Sequence, residues 1–155
     1  ILLTHGHFDH TGALCDLAEN TGGLVLIHSG DKKMLTDNGA NLSFMTGERI
    51  KPREADMLLD DIKEIPLGDT VIKVFHSDGS VSFLWGGNLF CGDLLFRGSI
   101  GRYDFGSLET ELKSLKFLMD NFDDSVKVFP GHGEPTTIGY EKRNNPYSIY
   151  WNDVK

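Results

Sequence analysis

Between His5 and His10 the chain carries three histidines and an aspartate, in the run Thr4-His5-Gly6-His7-Phe8-Asp9-His10, directly behind the apolar residues Ile1-Leu2-Leu3. The apolar residues read as the end of a buried strand, so the polar group falls in the loop that follows it. In extended backbone, residues two apart point the same way, which lets His5 and His7 reach one cation together. Asp9 and His10 stand where a helix begins, so their side chains can diverge toward a second cation nearby. Gly6 and Gly12 allow the tight path this requires. Asp9 read alone is an N-cap for the helix that follows, but a cap does not account for three histidines within six residues.

Further along, strand-like and helix-like stretches alternate, the pattern of an α/β protein. Residues 11–20 predict a helix with Leu14, Leu17 and Ala18 on one face, stopped by Gly22-Gly23. Strands are expected over 24–27, 70–75, 81–85 and 89–91, the last two joined through Gly86-Gly87-Asn88 as a hairpin. Residues 31–35 suit one or two helical turns, and 37–54 read as loop. Residues 108–122 place Leu112, Leu115, Leu118 and Met119 on one helical face. A strand over 126–129 runs into Pro130-Gly131-His132-Gly133, and residues from 134 onward read mostly as loop. His76, Asp93 and His132 each follow a predicted strand, so one edge of a sheet can gather them. Length fits one domain, 1–155, of 155 residues. Ile1 replaces an initiating Met, and the opening strand lacks an upstream neighbour; both suggest that the chain is N-terminally incomplete.

With 15 Lys and Arg against 23 Asp and Glu, the formal charge is -8. No surplus of positive charge exists to replace phosphate counterions, which disfavours nucleic acid and anionic membrane as partners. Two cysteines, Cys15 and Cys91, cannot build a disulfide framework, so the expected compartment is the reducing cytoplasm. Both read as small buried residues. His28 reads as structural, and the aromatic group Tyr147, Tyr150 and Trp151 as packing.

Taken together, His5-x-His7-x-Asp9-His10, His76, Asp93 and His132 resemble the metallo-β-lactamase superfamily. Within it, the run Gly92–Arg102 and the run Pro130–Lys142 resemble short glyoxalase II-like hydrolases. The resemblance implies an αββα sandwich, here lacking its first β-rich segment, with a two-metal site at the sheet edge. It implies that His5, His7 and His76 hold one metal, that Asp9, His10 and His132 hold the other, and that Asp93 bridges them. Two alignments of His76 stay open: the ligand itself, or the upstream histidine of the longer loop usual in the family. Arg102 falls where related enzymes often place a basic residue that touches glutathione; a plain surface charge is the competing reading. Asp104 stands where those enzymes have an aromatic residue.

Imidazole and carboxylate ligands without thiolate suit zinc, iron or manganese; zinc is the first expectation. The implied reaction is hydrolysis of a hydroxyacyl-glutathione-type thioester by attack of a metal-bridging hydroxide on the acyl carbon, with Asp9 and Asp93 as catalytic carboxylates. A thiol of pKa about 8.5 leaves as thiolate without a general acid, which suits such a site to thioesters. The alternatives are a lactone or β-lactam hydrolase, a mononuclear-iron persulfide dioxygenase, and a non-catalytic fragment. Pro130-Gly131-His132-Gly133, where the dioxygenases usually have Pro-Ala-His-Asp, favours two metals over one.

Overall fold

In a computed structural model the described residues are 1–47, 49–77, 81–102 and 107–154. The chain divides into two compact units, Ile1–Lys63 with Gly79–Val81, and Glu64–Asp78 with Ser82–Lys155.

The first unit opens with two short helices, α1 (Phe8–Thr11) and α2 (Leu14–Thr21). One continuous helix was expected over 11–20; instead α1 closes at Thr11, and α2 begins afresh at Leu14. Gly22, left-handed at φ 65°, terminates α2 by returning its N–H to Ala18. Leu14, Cys15 and Ala18 are buried, while Leu17 faces outward, so the apolar stripe is narrower than its spacing suggested. The strands β1 (Leu26–Ile27) and β2 (Met57–Leu58) pair in parallel, and Leu2 adds a single bridge to Leu26. The opening residues therefore contribute one bridge rather than a full strand. A 3-10 segment, Ser29–Leu35, fulfils the expected helical turns, and a second occupies Ser43–Met45 within the expected loop. Leu3, Leu14, Ala18, Val25, Ile27 and Leu35 form this unit's core.

The second unit is built on a six-stranded sheet ordered β10-β9-β6-β5-β4-β3. Its strands are β3 (Glu64–Leu67), β4 (Thr70–His76), β5 (Val81–Trp85), β6 (Asn88–Gly92), β9 (Lys127–Pro130) and β10 (Thr136–Thr137). A two-strand hairpin, β7 (Leu95–Phe96) with β8 (Ser99–Ile100), follows β6. Gly86 and Gly87 both take positive φ, 55° and 78°, so the expected β5–β6 hairpin closes in two residues, with Asn88 already paired to Trp85 in β6 rather than in the turn. The sheet's helices are α3 (Leu108–Asn121), α4 (Ile138–Asn144) and α5 (Ser148–Trp151). α3 buries Leu112, Leu115, Leu118 and Met119 against Leu89, Cys91 and Val128 of the sheet, as its periodicity required.

Residues after 134 correct the expectation of loop. Thr137 caps α4 by accepting the Tyr140 N–H at 3.1 Å, and Trp151 of α5 is buried in the core. These helices are one or two turns long, too short for a periodic signal, and tertiary burial supplies their stability. β3 also went unread, because Glu64-Ile65-Pro66-Leu67 lacks a strand-like run and lies at the sheet's edge, where Pro is tolerated. Among the described residues no helix is long and apolar enough to cross a membrane.

Candidate metal centre

In the first unit, the His5–His10 group owes its shape to what holds Gly6 and His7. Gly6 donates its N–H to the Asp31 carboxylate at 3.0 Å. A Cβ at Gly6 would stand 2.6 Å from the Met34 Cβ, so the segment lies too close for any larger residue. His7 is extended (φ -63°, ψ 152°) and is the N-cap residue of α1; its carbonyl accepts the Thr11 hydroxyl at 3.0 Å. Phe8 donates to the Asn41 carbonyl at 3.0 Å. The backbone therefore leaves extended geometry at His7 and enters a helix that carries Asp9 and His10 in a single turn.

The side chains converge. The His5 and His7 rings meet edge to face with centroids 4.8 Å apart. His10 comes closer still, 4.1 Å from His5, and its Nε2 is 3.7 Å from an Asp9 oxygen. The His10 ring therefore packs against that of His5, while its Nε2 lies on the side of Asp9, as the expected divergence of Asp9 and His10 from the His5–His7 pair requires. His5 is buried, His7 and His10 half-buried, and Asp9 exposed. The Thr4 hydroxyl lies 3.2 Å from His5 Nδ1. Asp9 is inside the first turn of α1 and not its N-cap, which removes the capping explanation for it. Asp31 is buried, and burial pushes its carboxyl up to about 6, opposed by the Gly6 hydrogen bond.

In the second unit, strand direction assembles the remaining candidates. β6 and β9 are parallel, so Asp93 and His132, each following its strand's C-terminus, emerge at the same end of the sheet. β4 and β5 are neighbours joined by a short connection, which only the antiparallel arrangement allows, and β5 is antiparallel to β6. His76, the last residue of β4, therefore reaches that same end. The pairing of β6 with β9 slips between Phe90 and Gly92, and Gly92 is left-handed at φ 53°. Gly131 donates to the Gly92 carbonyl at 2.8 Å, locking the two loops together. Asp93 Oδ2 lies 3.7 Å from His132 Nε2, and the Phe96 ring centroid is 6.2 Å from that of His132.

Other residues follow the expectations or extend them. Cys91 is buried with its thiol toward the Leu95 carbonyl, and burial pushes the thiol up to about 12, which suits packing rather than reactivity. Cys15 is buried and donates to the Lys51 carbonyl at 3.0 Å. His28 is structural: its Nδ1 accepts the Gly30 N–H at the head of the first 3-10 segment. Arg102 is exposed at the end of a described segment, whereas Asp104 lies outside the described residues. Three residues escaped the sequence reading. Asp31 carried no local motif, and Gly101 and Glu141 belonged to quoted runs without a role of their own. Gly101 passes so close to the Asp93 carbonyl that a Cβ there would overlap it, at 1.9 Å. Glu141, fully buried, accepts from Gly98 N at 3.0 Å, Asn145 Nδ2 at 2.7 Å and Thr136 Oγ1 at 2.5 Å.

Each unit thus offers imidazole nitrogens and carboxylate oxygens with no thiolate among them, a donor chemistry that fits a borderline divalent ion. Comparison with known proteins agrees. Residues 1–132 match the family model of the metallo-beta-lactamase superfamily. The "Probable metallo-hydrolase YqgX" of Bacillus subtilis is 36% identical over 95% of this chain and 74% of its own length. The "Hydroxyacylglutathione hydrolase GloC" of Haemophilus influenzae is 32% identical over the same shares. Among solved structures, the BLEG-1 B3 metallo-beta-lactamase is 36% identical with a TM-score of 0.88, over 95% of this chain and 75% of that one. TTHA1623, in a di-iron-bound form, is 38% identical with a TM-score of 0.79, over 95% and 76%. Sequence, fold and donor chemistry converge: the chain belongs to the metallo-beta-lactamase superfamily and is related to its metallo-hydrolases.

Proposed function

We propose that the protein is a metal-dependent hydrolase of acyl thiols of the hydroxyacyl-glutathione type. The observation that carries the hydrolytic reading is the donor set, in which His5, His7 and His10 crowd together with Asp9, and Asp93 stands beside His132. The likeness to the Haemophilus enzyme supports the thioester substrate. His5, His7 and His76 are assigned to one divalent ion, Asp9, His10 and His132 to a second, and Asp93 to both. Zinc is the first expectation, and the di-iron form of TTHA1623 supports iron as the alternative, with manganese third. Bound divalent ions would supply Lewis acidity, polarising a carbonyl and lowering the pKa of water to about 7.

The chain's own residues supply the rest. With Nδ1–H donating to the Thr4 hydroxyl 3.2 Å away, the His5 ring would be oriented and its Nε2 would carry the lone pair for a metal. Asp9 and Asp93 bring negative charge and serve as the catalytic carboxylates. Arg102, exposed, offers a guanidinium to a carboxylate of the thiol moiety. The departing thiol, of pKa about 8.5, leaves as thiolate, so no proton donor is assigned. Two free cysteines and a thiol product suit a reducing cytoplasm.

The test is an assay of purified, metal-loaded protein with a hydroxyacyl-glutathione thioester, with and without chelator. Turnover that chelation abolishes supports the proposal; absence of metal-dependent turnover overturns it. The likeness to BLEG-1 favours β-lactam hydrolysis as a second reading, so a chromogenic cephalosporin belongs in the same assay. Turnover of the cephalosporin in preference to the thioester replaces the first reading with the second.

A further inference from the structure

Gly6 sits between two of the assigned ligands, and its backbone is gripped from one side. Its N–H meets the buried Asp31 carboxylate at 3.0 Å, and its Cα lies against Met34 so closely that a side chain would collide. Asp31 is mounted rigidly. It lies in the 3-10 segment Ser29–Leu35, donates its own N–H to the His28 carbonyl at 3.1 Å, and shares that segment with core residue Leu35. A buried carboxylate is costly to keep, and a neutral residue would fill the same space with less desolvation. A charged acceptor, however, holds an amide more firmly than a neutral one. The position is therefore suited to stiffening the peptide between the two imidazoles.

We propose that Asp31 is a positioning residue for the metal-ligating loop: its carboxylate fixes the Gly6 amide, and through it the mutual placement of the His5 and His7 rings. The inference rests on the reading of His5 and His7 as ligands. Groups that orient metal ligands without touching the metal typically affect affinity by about 10–100-fold, and Asp31 acts one step further back, on the backbone that carries two of them.

Cobalt(II) titration of the full chain tests it, read both by affinity and by the visible ligand-field bands. Asp31→Ala is expected to weaken cobalt binding by about 10-fold or more and to alter the bands. Asp31→Asn, which keeps a neutral and therefore weaker oxygen acceptor for the Gly6 amide, is expected to recover part of both. Wild-type affinity and spectrum in Asp31→Ala overturn the inference while leaving the metal reading in place. Wild-type protein that binds no cobalt overturns both. Should Asp31→Ala fail to fold, amide hydrogen exchange on the wild-type chain decides: strong protection of the Gly6 N–H supports the grip, and exchange at the rate of an open loop overturns it.

Discussion

At the scale of single residues, the candidate site depends on groups that do not themselves look like site residues. Gly101 is the sharpest case, since a Cβ on it would stand 1.9 Å from the Asp93 carbonyl oxygen. Gly101→Ala is expected to cost about 2–3 kcal/mol by overpacking and to lower bound metal by displacing Asp93, as seen by denaturant unfolding and elemental analysis. Gly12→Ala is the control: its nearest neighbour would stand at an ordinary 3.5 Å, so stability should hold within about 0.5 kcal/mol. Asp31 gives a pH signature in chelated protein. Its folded carboxyl titrates near 6 against 3.8 for the free group, so the folded state binds the extra proton between those values. Its contribution to stability is fully present below about pH 4 and falls away as pH rises through 6, by about 3 kcal/mol in all. Asp31→Asn should flatten that part of the stability-versus-pH curve, measured by denaturant melts from pH 4 to 7.

At the scale of elements, periodicity was informative wherever an element was long. α3 shows its buried face at 112, 115, 118 and 119, and the Gly-Gly turn closes its hairpin where the backbone demands left-handed residues. The short elements were illegible because their stability comes from distant partners. Glu141 shows this: from α4 it accepts the Gly98 amide at the tip of the β7–β8 hairpin, and Asn145 reaches the Ser99 carbonyl at 3.0 Å. Removing that carboxylate strands three donors in the interior. Glu141→Ala should destabilise the protein by about 3 kcal/mol or more, read as a lower urea midpoint. Leu115→Ala, in the middle of α3's buried face, should cost a comparable 2–5 kcal/mol, roughly, through the cavity it leaves.

At the scale of the whole molecule, the metal assignment makes a prediction about folding as well as catalysis. Ions that bind only the folded chain stabilise it by about 2.7 kcal/mol at a free concentration of 100 Kd. Chelation should therefore lower the thermal midpoint, and restored zinc or iron should raise it again; a midpoint indifferent to chelator contradicts the assignment. The donor types and the family were legible in one dimension, because metal chemistry needs particular side chains and the His5–His10 group keeps four of them at short spacing. The strand-then-loop placement held for Asp93 and His132, whereas His76 ends β4 itself and Asp9 and His10 lie in α1. The sequence did not determine what grips the donors. That Asp31 holds Gly6, that Gly101 underlies Asp93 and that Glu141 pins a hairpin are contacts between residues up to 43 positions apart. Such pairs have no local periodicity or motif to announce them; only the folded backbone brings a buried carboxylate and its amide to hydrogen-bonding distance.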